Sequence, residues 1–380
     1  MKRRSVDWYI LISVLLLVST GLIMVLSASS AFASAKFGKP FLFFYKQAIW
    51  SCLSICGLIF AANVEYKRLK RLVGPALFIT LLLLVLLLIP GVADTRNGAN
   101  SWLQLGPVSF QPSELVKLCT ILILARVLAN KQDKISFFQE GLLPPIFIIG
   151  VICVLIVLEK DLGTTMALAF TSFVMLFAAG ARLSHLAPIA LTGAVLASAA
   201  VFSEKYRLAR FIAFMNPYAD PRGTGYQIIQ SLYAIGSGGV MGVGLGHSKQ
   251  KFLYLPESYT DFIYSVLAEE LGFIGGLFII ILFIIILVRG LRIAYNIDDS
   301  FGSLLAIGIT SMITVEAIMN ISVATGSMPV TGITLPFISY GGSSLFFKML
   351  GVGILLNISK YCPERQTAVK ETTVLTDYSL

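Results

Sequence analysis

The chain has 380 residues, of which 57% are hydrophobic and only 13% charged, whereas about a quarter are charged in a soluble domain. Apolar runs of about 20 residues, enough to cross a bilayer as a helix, recur from end to end; this excludes a soluble enzyme, a secreted disulfide scaffold and a disordered low-complexity chain. The 29 basic and 20 acidic residues leave +9, a balance that in a membrane chain marks the cytoplasmic side and gives no reason to expect nucleic acid.

The first run, Trp8 to Leu26, follows Lys2-Arg3-Arg4 and precedes the small-residue stretch Ala31-Phe-Ala-Ser-Ala35. It is longer than a signal-peptide core and is expected to be retained as a first span. Further spans are predicted at 44–64, 72–91, 112–130, 143–159, 162–181, 184–203, 261–289, 300–324 and 336–358, making an all-α integral membrane protein of about ten transmembrane helices. Lys67, Arg68, Lys70, Arg71, Lys131, Lys134, Arg289, Arg292 and the basic residues of both ends then fall on one side, which puts both termini in the cytoplasm. Residues 1–360 form a single polytopic domain, and the polar tail 361–380 is expected to be disordered.

Four of the five cysteines fall in spans and Cys362 in the tail, so no extracytoplasmic disulfide is expected. Most connections are short, but the one between the seventh and eighth spans, 204–260, is long and extracytoplasmic, and loops of that length usually carry function. Its Arg207-Leu-Ala-Arg210-Phe-Ile-Ala-Phe stretch is amphipathic, and Tyr226-Gln-Ile-Ile is apolar enough to lie in the interface or re-enter it. The glycines from Gly236 to Gly246 follow no strand and match neither common nucleotide motif, so a tight membrane-lying turn is expected; Lys249 and Lys251 just after it could hold a diphosphate headgroup.

Ionisable groups inside apolar spans cost several kcal/mol unless they face a bundle interior or a wet cavity. Lys46, Glu114, Lys117, Glu269, Glu270, Glu316 and Lys348 are such groups. Glu114 and Lys117 stand three apart on one helical face, as a structural ion pair or as cavity residues. Lys46 and Lys348 are expected to snorkel. Glu269, on one face with Gly272 and Gly276, suits a buried polar contact at a close helix crossing. Asp161 lies in a short outer turn, as a cap for the following helix or as part of a site. Asp261 is the last outward carboxylate before the eighth span, where Thr260 would cap the helix and Asp261 would sit in its first turn. Trp102, in the second outer loop, is by default an interfacial aromatic.

Together these stretches resemble a known family. Asn97-Gly98, Trp102, Phe110-Gln-Pro-Ser-Glu114-Leu-Val-Lys117, Asp161-Leu-Gly163, Asn216-Pro217, Leu255-Pro-Glu257 with Thr260-Asp261-Phe262, Ala268-Glu-Glu-Leu-Gly272 and Pro329 to Ser344 are similar, in order, to motifs of the SEDS family (FtsW, SpoVE and RodA), in detail most like its FtsW and SpoVE branch. The chain departs from the family in having Asn100-Ser101 where a basic residue often precedes the tryptophan, and Glu159-Lys160 where Gln-Pro is frequent.

The resemblance implies a peptidoglycan glycosyltransferase that polymerises lipid II at the outer face of the cytoplasmic membrane during division or sporulation and releases undecaprenyl diphosphate. It implies Asp261 as the catalytic base and Trp102, Glu114, Lys117 and Asp161 as substrate-side or cavity residues. Arg207, Arg210, Lys249, Lys251 or a divalent cation (Mg or Mn) would balance the leaving diphosphate. A class B penicillin-binding protein and other divisome or spore-septum proteins are the implied partners. A helix-start position would lower the pKa of Asp261 and weaken it as a base. The competing functions are a transporter that flips lipid II and a scaffold that recruits division proteins.

Overall fold

The computed structural model describes residues 5–96, 99–106 and 108–363. Asn97-Gly98 of the motif, the basic residues Lys2, Arg3, Arg4, Arg365 and Lys370, and the tail from residue 364 lie outside the described residues. The helices are α1 (Trp8–Phe37), α2 (Leu42–Asn63), α3 (Val73–Leu87), α4 (Pro112–Asn130), α5 (Leu143–Leu158), α6 (Leu162–Ala178), α7 (Leu183–Phe202), α8 (Lys205–Met215), α9 (Tyr226–Gly238), α10 (Ile263–Asn296), α11 (Ser300–Ala324) and α12 (Gly342–Ser359). Eight helical segments are long and apolar enough to cross a membrane. The other two predicted spans are α4, whose 19 residues include Glu114, Lys117 and Arg126, and α6, which has 17. Both fall short on charge or length; α4 is mostly buried, while α6 exposes Phe170 and Phe177 on one face.

Local signals set the helix ends. Asp7 accepts a hydrogen bond from the Ile10 N–H and an ion pair from Arg289 (2.6 Å), while Gly38, at φ 66°, closes α1 by donating to the Ala33 and Ser34 carbonyls. Asp299 caps α11 through the Gly302 N–H. Hydrophobicity supplies little force between helices in lipid, so close packing and buried polar contacts hold the bundle. α11 and α12 are largely buried at its centre: α12 packs on α2, and α11 on α4, α6 and α10. α7, by contrast, is almost wholly exposed.

Two departures from the predicted architecture matter for the outer face. The second outer loop is a small three-stranded antiparallel sheet, β1 (Asp94–Arg96), β2 (Ala99–Leu105) and β3 (Val108–Phe110), which adds strand to the all-α expectation. Leu103 pairs with Phe110 and Leu105 with Val108 across a tight turn that contains Gly106 at φ 62°, a conformation glycine adopts without strain. The final predicted span also starts late: residues 327–341 run as irregular chain across the outer end of the bundle before α12 begins.

The long loop folds as α8, α9 and a glycine-rich turn. α10 breaks at Gly272 (φ 70°, ψ −168°), and the glycine turn satisfies the backbone groups this frees. Val243 and Gly244 donate to the Glu269 and Glu270 carbonyls, and Phe273 and Ile274 donate to those of Gly239 and Val240. A Cβ on Gly272 would collide with the Gly242 nitrogen, so the close approach requires glycine. Glu269 accepts bonds from the Lys249 N–H (2.9 Å) and the Ser248 hydroxyl, the buried polar contact its spacing predicted.

Candidate active site

α4, α11 and α12 bring four charged side chains together in the bundle interior. Lys117 pairs with Glu114 at 3.0 Å and with Glu316, and Lys348 pairs with Glu316 at 2.9 Å and with Glu114 at 3.7 Å. All four are buried. Two ammoniums facing two carboxylates in alternation leave no net charge, which is what makes the group tolerable in low dielectric. Lys348, expected to snorkel, does not: it is 1% exposed and also donates to Ser344, because α12 runs through the centre of the bundle and offers it no route to an interface.

Asp161 stands at the outer end of this cluster as the N-cap of α6. One carboxylate oxygen accepts from the Thr164 N–H at 2.9 Å and the other from the Thr164 hydroxyl at 2.8 Å. Burial raises its pKa against these bonds, and it feels both Lys117 and Glu114 from below and Asp261 from above. The hydrogen bonds show the cap reading of Asp161, and its electrostatic neighbours place it between the tetrad and Asp261.

Asp261 lies just ahead of α10 and is placed by its backbone. The Asn320 side-chain amide donates to the Asp261 carbonyl at 2.8 Å and to that of Ile333 at 2.7 Å, fixing the Asp261 backbone to the irregular 327–341 chain. Ser339 donates to the Thr260 carbonyl at 2.6 Å, and the Tyr340 N–H to the Tyr259 carbonyl at 3.0 Å. Tyr259 in turn packs among Phe32, Phe43 and Tyr340. Gly332, at φ 77°, passes over the carboxylate, where a Cβ would sit 3.8 Å from Oδ2.

Two expectations for this position are corrected. Thr260 does not cap α10; its hydroxyl donates to Glu257 at 2.7 Å, and the residue at the helix start, Phe262, has no side chain able to cap. Nor is Asp261 a weakened base. Burial first, then the neighbouring Glu257 carboxylate, push its pKa up to about 7, opposed by the Arg210 guanidinium. With the carboxylate in the turn before the helix and partly desolvated, burial outweighs the helix dipole.

The basic residues separate into two kinds. Lys251, expected to hold diphosphate, is 4% exposed and bound to Glu270 at 2.9 Å and to the Ser27 hydroxyl at 2.9 Å, so its charge is already neutralised where α1 meets the break in α10. Arg207 is likewise buried, donating to the Ala200 carbonyl and the Tyr206 hydroxyl, both at 3.0 Å; it ties α8 to the end of α7. Arg210 lies beside Asp261, with its guanidinium over the Tyr206 ring and 3.4 Å from the Val330 carbonyl, and Lys249 is exposed. Trp102 is half-buried on β2, opposite Asp94.

No group of three or more His, Cys, Asp or Glu side chains among the described residues could hold a metal ion. Of the carboxylates near Asp261, Asp161 is engaged by Thr164 and Glu257 by Thr260. The donor set does not fit a protein-held divalent cation. Glu316, Lys348, Asn320 and Glu257 are the site neighbours that the sequence argument did not assign. Asn320 had a signal, since it stands one turn after Glu316 on an otherwise apolar helix, where two polar residues at i and i+4 share a face.

The geometry agrees with comparisons to known proteins. The "Cell cycle protein" model for FtsW, RodA and SpoVE matches residues 7–364. Stage V sporulation protein E of Bacillus subtilis is 47% identical over 95% of this chain and 98% of its own length. A Geobacter protein named "Probable peptidoglycan glycosyltransferase FtsW" is 41% identical over 93% of this chain and 96% of its own. Among solved structures, a chain of a peptidoglycan synthase complex that coordinates polymerization and crosslinking superposes with a TM-score of 0.75 at 31% identity, over 93% of this chain and 97% of that one. The Thermus thermophilus rod shape determining protein RodA superposes at 0.69 with 28% identity, over 94% and 98%. The chain belongs to the FtsW, RodA and SpoVE family, the SEDS family whose motifs its sequence carries.

Proposed function

We propose that this membrane protein is a peptidoglycan glycosyltransferase that joins lipid II units at the outer face of the cytoplasmic membrane. The relatives named for that activity support the reading. The observation that carries it is Asp261: an outer-side carboxylate with a pKa of about 7, its backbone carbonyl held by Asn320 and its charge acted on by the Arg210 guanidinium.

A base is most effective when its pKa lies near the working pH, because it is then both ionised and basic. In the proposed step an acceptor sugar hydroxyl attacks the anomeric carbon of the donor. The new C–O bond forms as the bond to the diphosphate oxygen breaks; the proton passes to the Asp261 carboxylate, and the electron pair leaves with undecaprenyl diphosphate. Arg210, and the exposed Lys249 of the same long loop, supply positive charge for that leaving group. Arg210 also holds Asp261 partly ionised, so one guanidinium serves the base before the step and the diphosphate after it. The neutral tetrad of Glu114, Lys117, Glu316 and Lys348 forms a rigid polar floor beneath Asp161, and Asp161 and Trp102 face the bound headgroup. A divalent cation, where one takes part, would arrive with the diphosphate.

The transpeptidase partner is a class B penicillin-binding protein, and the work is done at a division or sporulation septum; the naming of the Bacillus relative and the crosslinking complex support both. The experiment supplies lipid II to purified protein with its partner and measures glycan chains. Asp261→Asn should stop polymerisation while the protein stays folded. Chains made at the unaltered rate would refute the enzyme, and lipid II crossing vesicles without polymerising would make it a transporter.

A further inference from the structure

The outer ends of α3 and α5 meet around a cavity of about 230 Å³, lined by residues 87–91, Ala93, Leu158 and Glu159. Glu159 is fully buried, and neither of its carboxyl oxygens has a hydrogen-bond partner. Burial, with the Asp161 charge two residues on, pushes its pKa up to about 9. Buried polar groups are nearly always partnered, so an orphan carboxyl on a cavity wall points to a missing ligand.

The wall defines the chemistry of that ligand. Glu159 has the only polar side chain on it. The backbone N–H groups of Leu88, Ile89 and Glu159 are spent on the Val85, Leu86 and Leu155 carbonyls, and Pro90 has none. α3 ends at Leu87 and α5 at Leu158, so the negative dipole ends of two helices face one small space beside the Glu159 carboxyl, although the Val85, Leu86, Leu155, Ile156 and Val157 carbonyls already accept backbone bonds. A carboxyl set between two negative dipole ends calls for a compact cation that donates N–H bonds. A phosphate would be repelled, and a trimethylammonium has no N–H to give. The rim of Leu88, Ile89 and Leu158 is apolar and exposed, which at the edge of a membrane span means contact with lipid. Below it run exposed strips of the neighbouring helices, Phe78, Leu82 and Val85 on α3 and Phe147 and Val154 on α5.

We propose that this cavity is a binding site for the primary ammonium headgroup of an outer-leaflet aminophospholipid, with Glu159 accepting its N–H bonds, the two helix ends favouring its charge and the acyl chains lying against α3 and α5. Entry of the ammonium releases the Glu159 proton to solvent and leaves an ammonium–carboxylate pair, so the cavity stays neutral overall. The bound cation also lies two residues from Asp161, on the acidic side of the site. The inference stands on the cavity alone and holds whether or not the chain polymerises lipid II.

The test uses the full chain in mixed micelles with phosphatidylethanolamine, phosphatidylcholine or phosphatidylglycerol of matched acyl chains, and native mass spectrometry to count retained lipids. Wild type should retain phosphatidylethanolamine about tenfold over phosphatidylcholine, the worth of one charge-assisted hydrogen bond. Glu159→Gln should abolish that preference while phosphatidylglycerol retention and the melting temperature stay unchanged. Should Glu159→Gln unfold, Ala93→Phe, which fills the cavity without touching the carboxyl, should abolish the preference in its place. No preference in wild type, or one that survives Ala93→Phe, overturns the proposal.

Discussion

Two clusters of charge lie one above the other, and they are built on opposite principles. In the interior, Glu114 and Glu316 face Lys117 and Lys348 and every charge has an opposite neighbour. At the outer face, Glu257 and Asp161 both act on Asp261, and Arg210 is the cation that opposes them. Both clusters are substantially out of water, so composition does not explain the difference; balance does. Where charges cancel, the group acts as scaffold. Where acids outnumber bases, one of them must hold its proton loosely, and proton transfer becomes available near neutral pH.

The sharpest way to break this contrast is to neutralise one member of each cluster. Asp261→Asn should lower the polymerisation rate by about 10²–10⁴-fold, the usual worth of a general base, with little change in melting temperature. Glu316→Gln should do the reverse in kind. It leaves two buried ammoniums sharing one carboxylate and should destabilise the fold by about 3–5 kcal/mol, seen as a lowered thermal transition in detergent. Glu316→Gln with Lys348→Met, which restores the balance, should recover most of that loss. A stability loss for Asp261→Asn as large as for Glu316→Gln would erase the distinction between the clusters.

How far this contrast was legible in the sequence depends on which forces decide it. The membrane class, nearly all helix positions, and Asp161 and Asp261 as outer carboxylates follow from hydropathy, chain order and motifs, which are local. The tetrad is only half visible. Glu114 and Lys117 are three residues apart, but Glu316 and Lys348 join them across 199 and more positions of sequence, and no pattern along the chain says that α12 runs through the centre. Lys348 was expected to snorkel and Lys251 to hold diphosphate; both are instead buried in ion pairs with glutamates on other segments, and that is a tertiary fact. The pKa of Asp261 was misjudged because helix position is local while desolvation is not. The break at Gly272 hides inside an unbroken apolar run, since its freed backbone groups are satisfied by a loop some 30 residues upstream.

A finer probe follows the pH dependence. The Asp261 pKa of about 7 predicts kcat/KM rising with pH through that value, as the carboxylate form increases. Glu257 raises this pKa, so Glu257→Gln should move the midpoint down; Arg210 lowers it, so Arg210→Ala should move the midpoint up, whatever it does to the maximal rate. A midpoint that stays fixed in both variants would show that another group limits the profile.

Asp161 gives the smallest effect and the most discriminating one, because it belongs to both clusters. As a cap it accepts the Thr164 N–H, and Asp161→Ala should cost about 1 kcal/mol of stability. Asn caps helices as well as Asp does, so Asp161→Asn should leave the melting temperature near wild type and remove only the charge. That charge is the weakest of the influences raising the Asp261 pKa, and its loss should move the kcat/KM midpoint down by less than Glu257→Gln does. Were Asp161→Asn instead to abolish activity with the midpoint unmoved, Asp161 would act by direct contact with the substrate, and the acidic surplus would have to be traced to Glu257 alone.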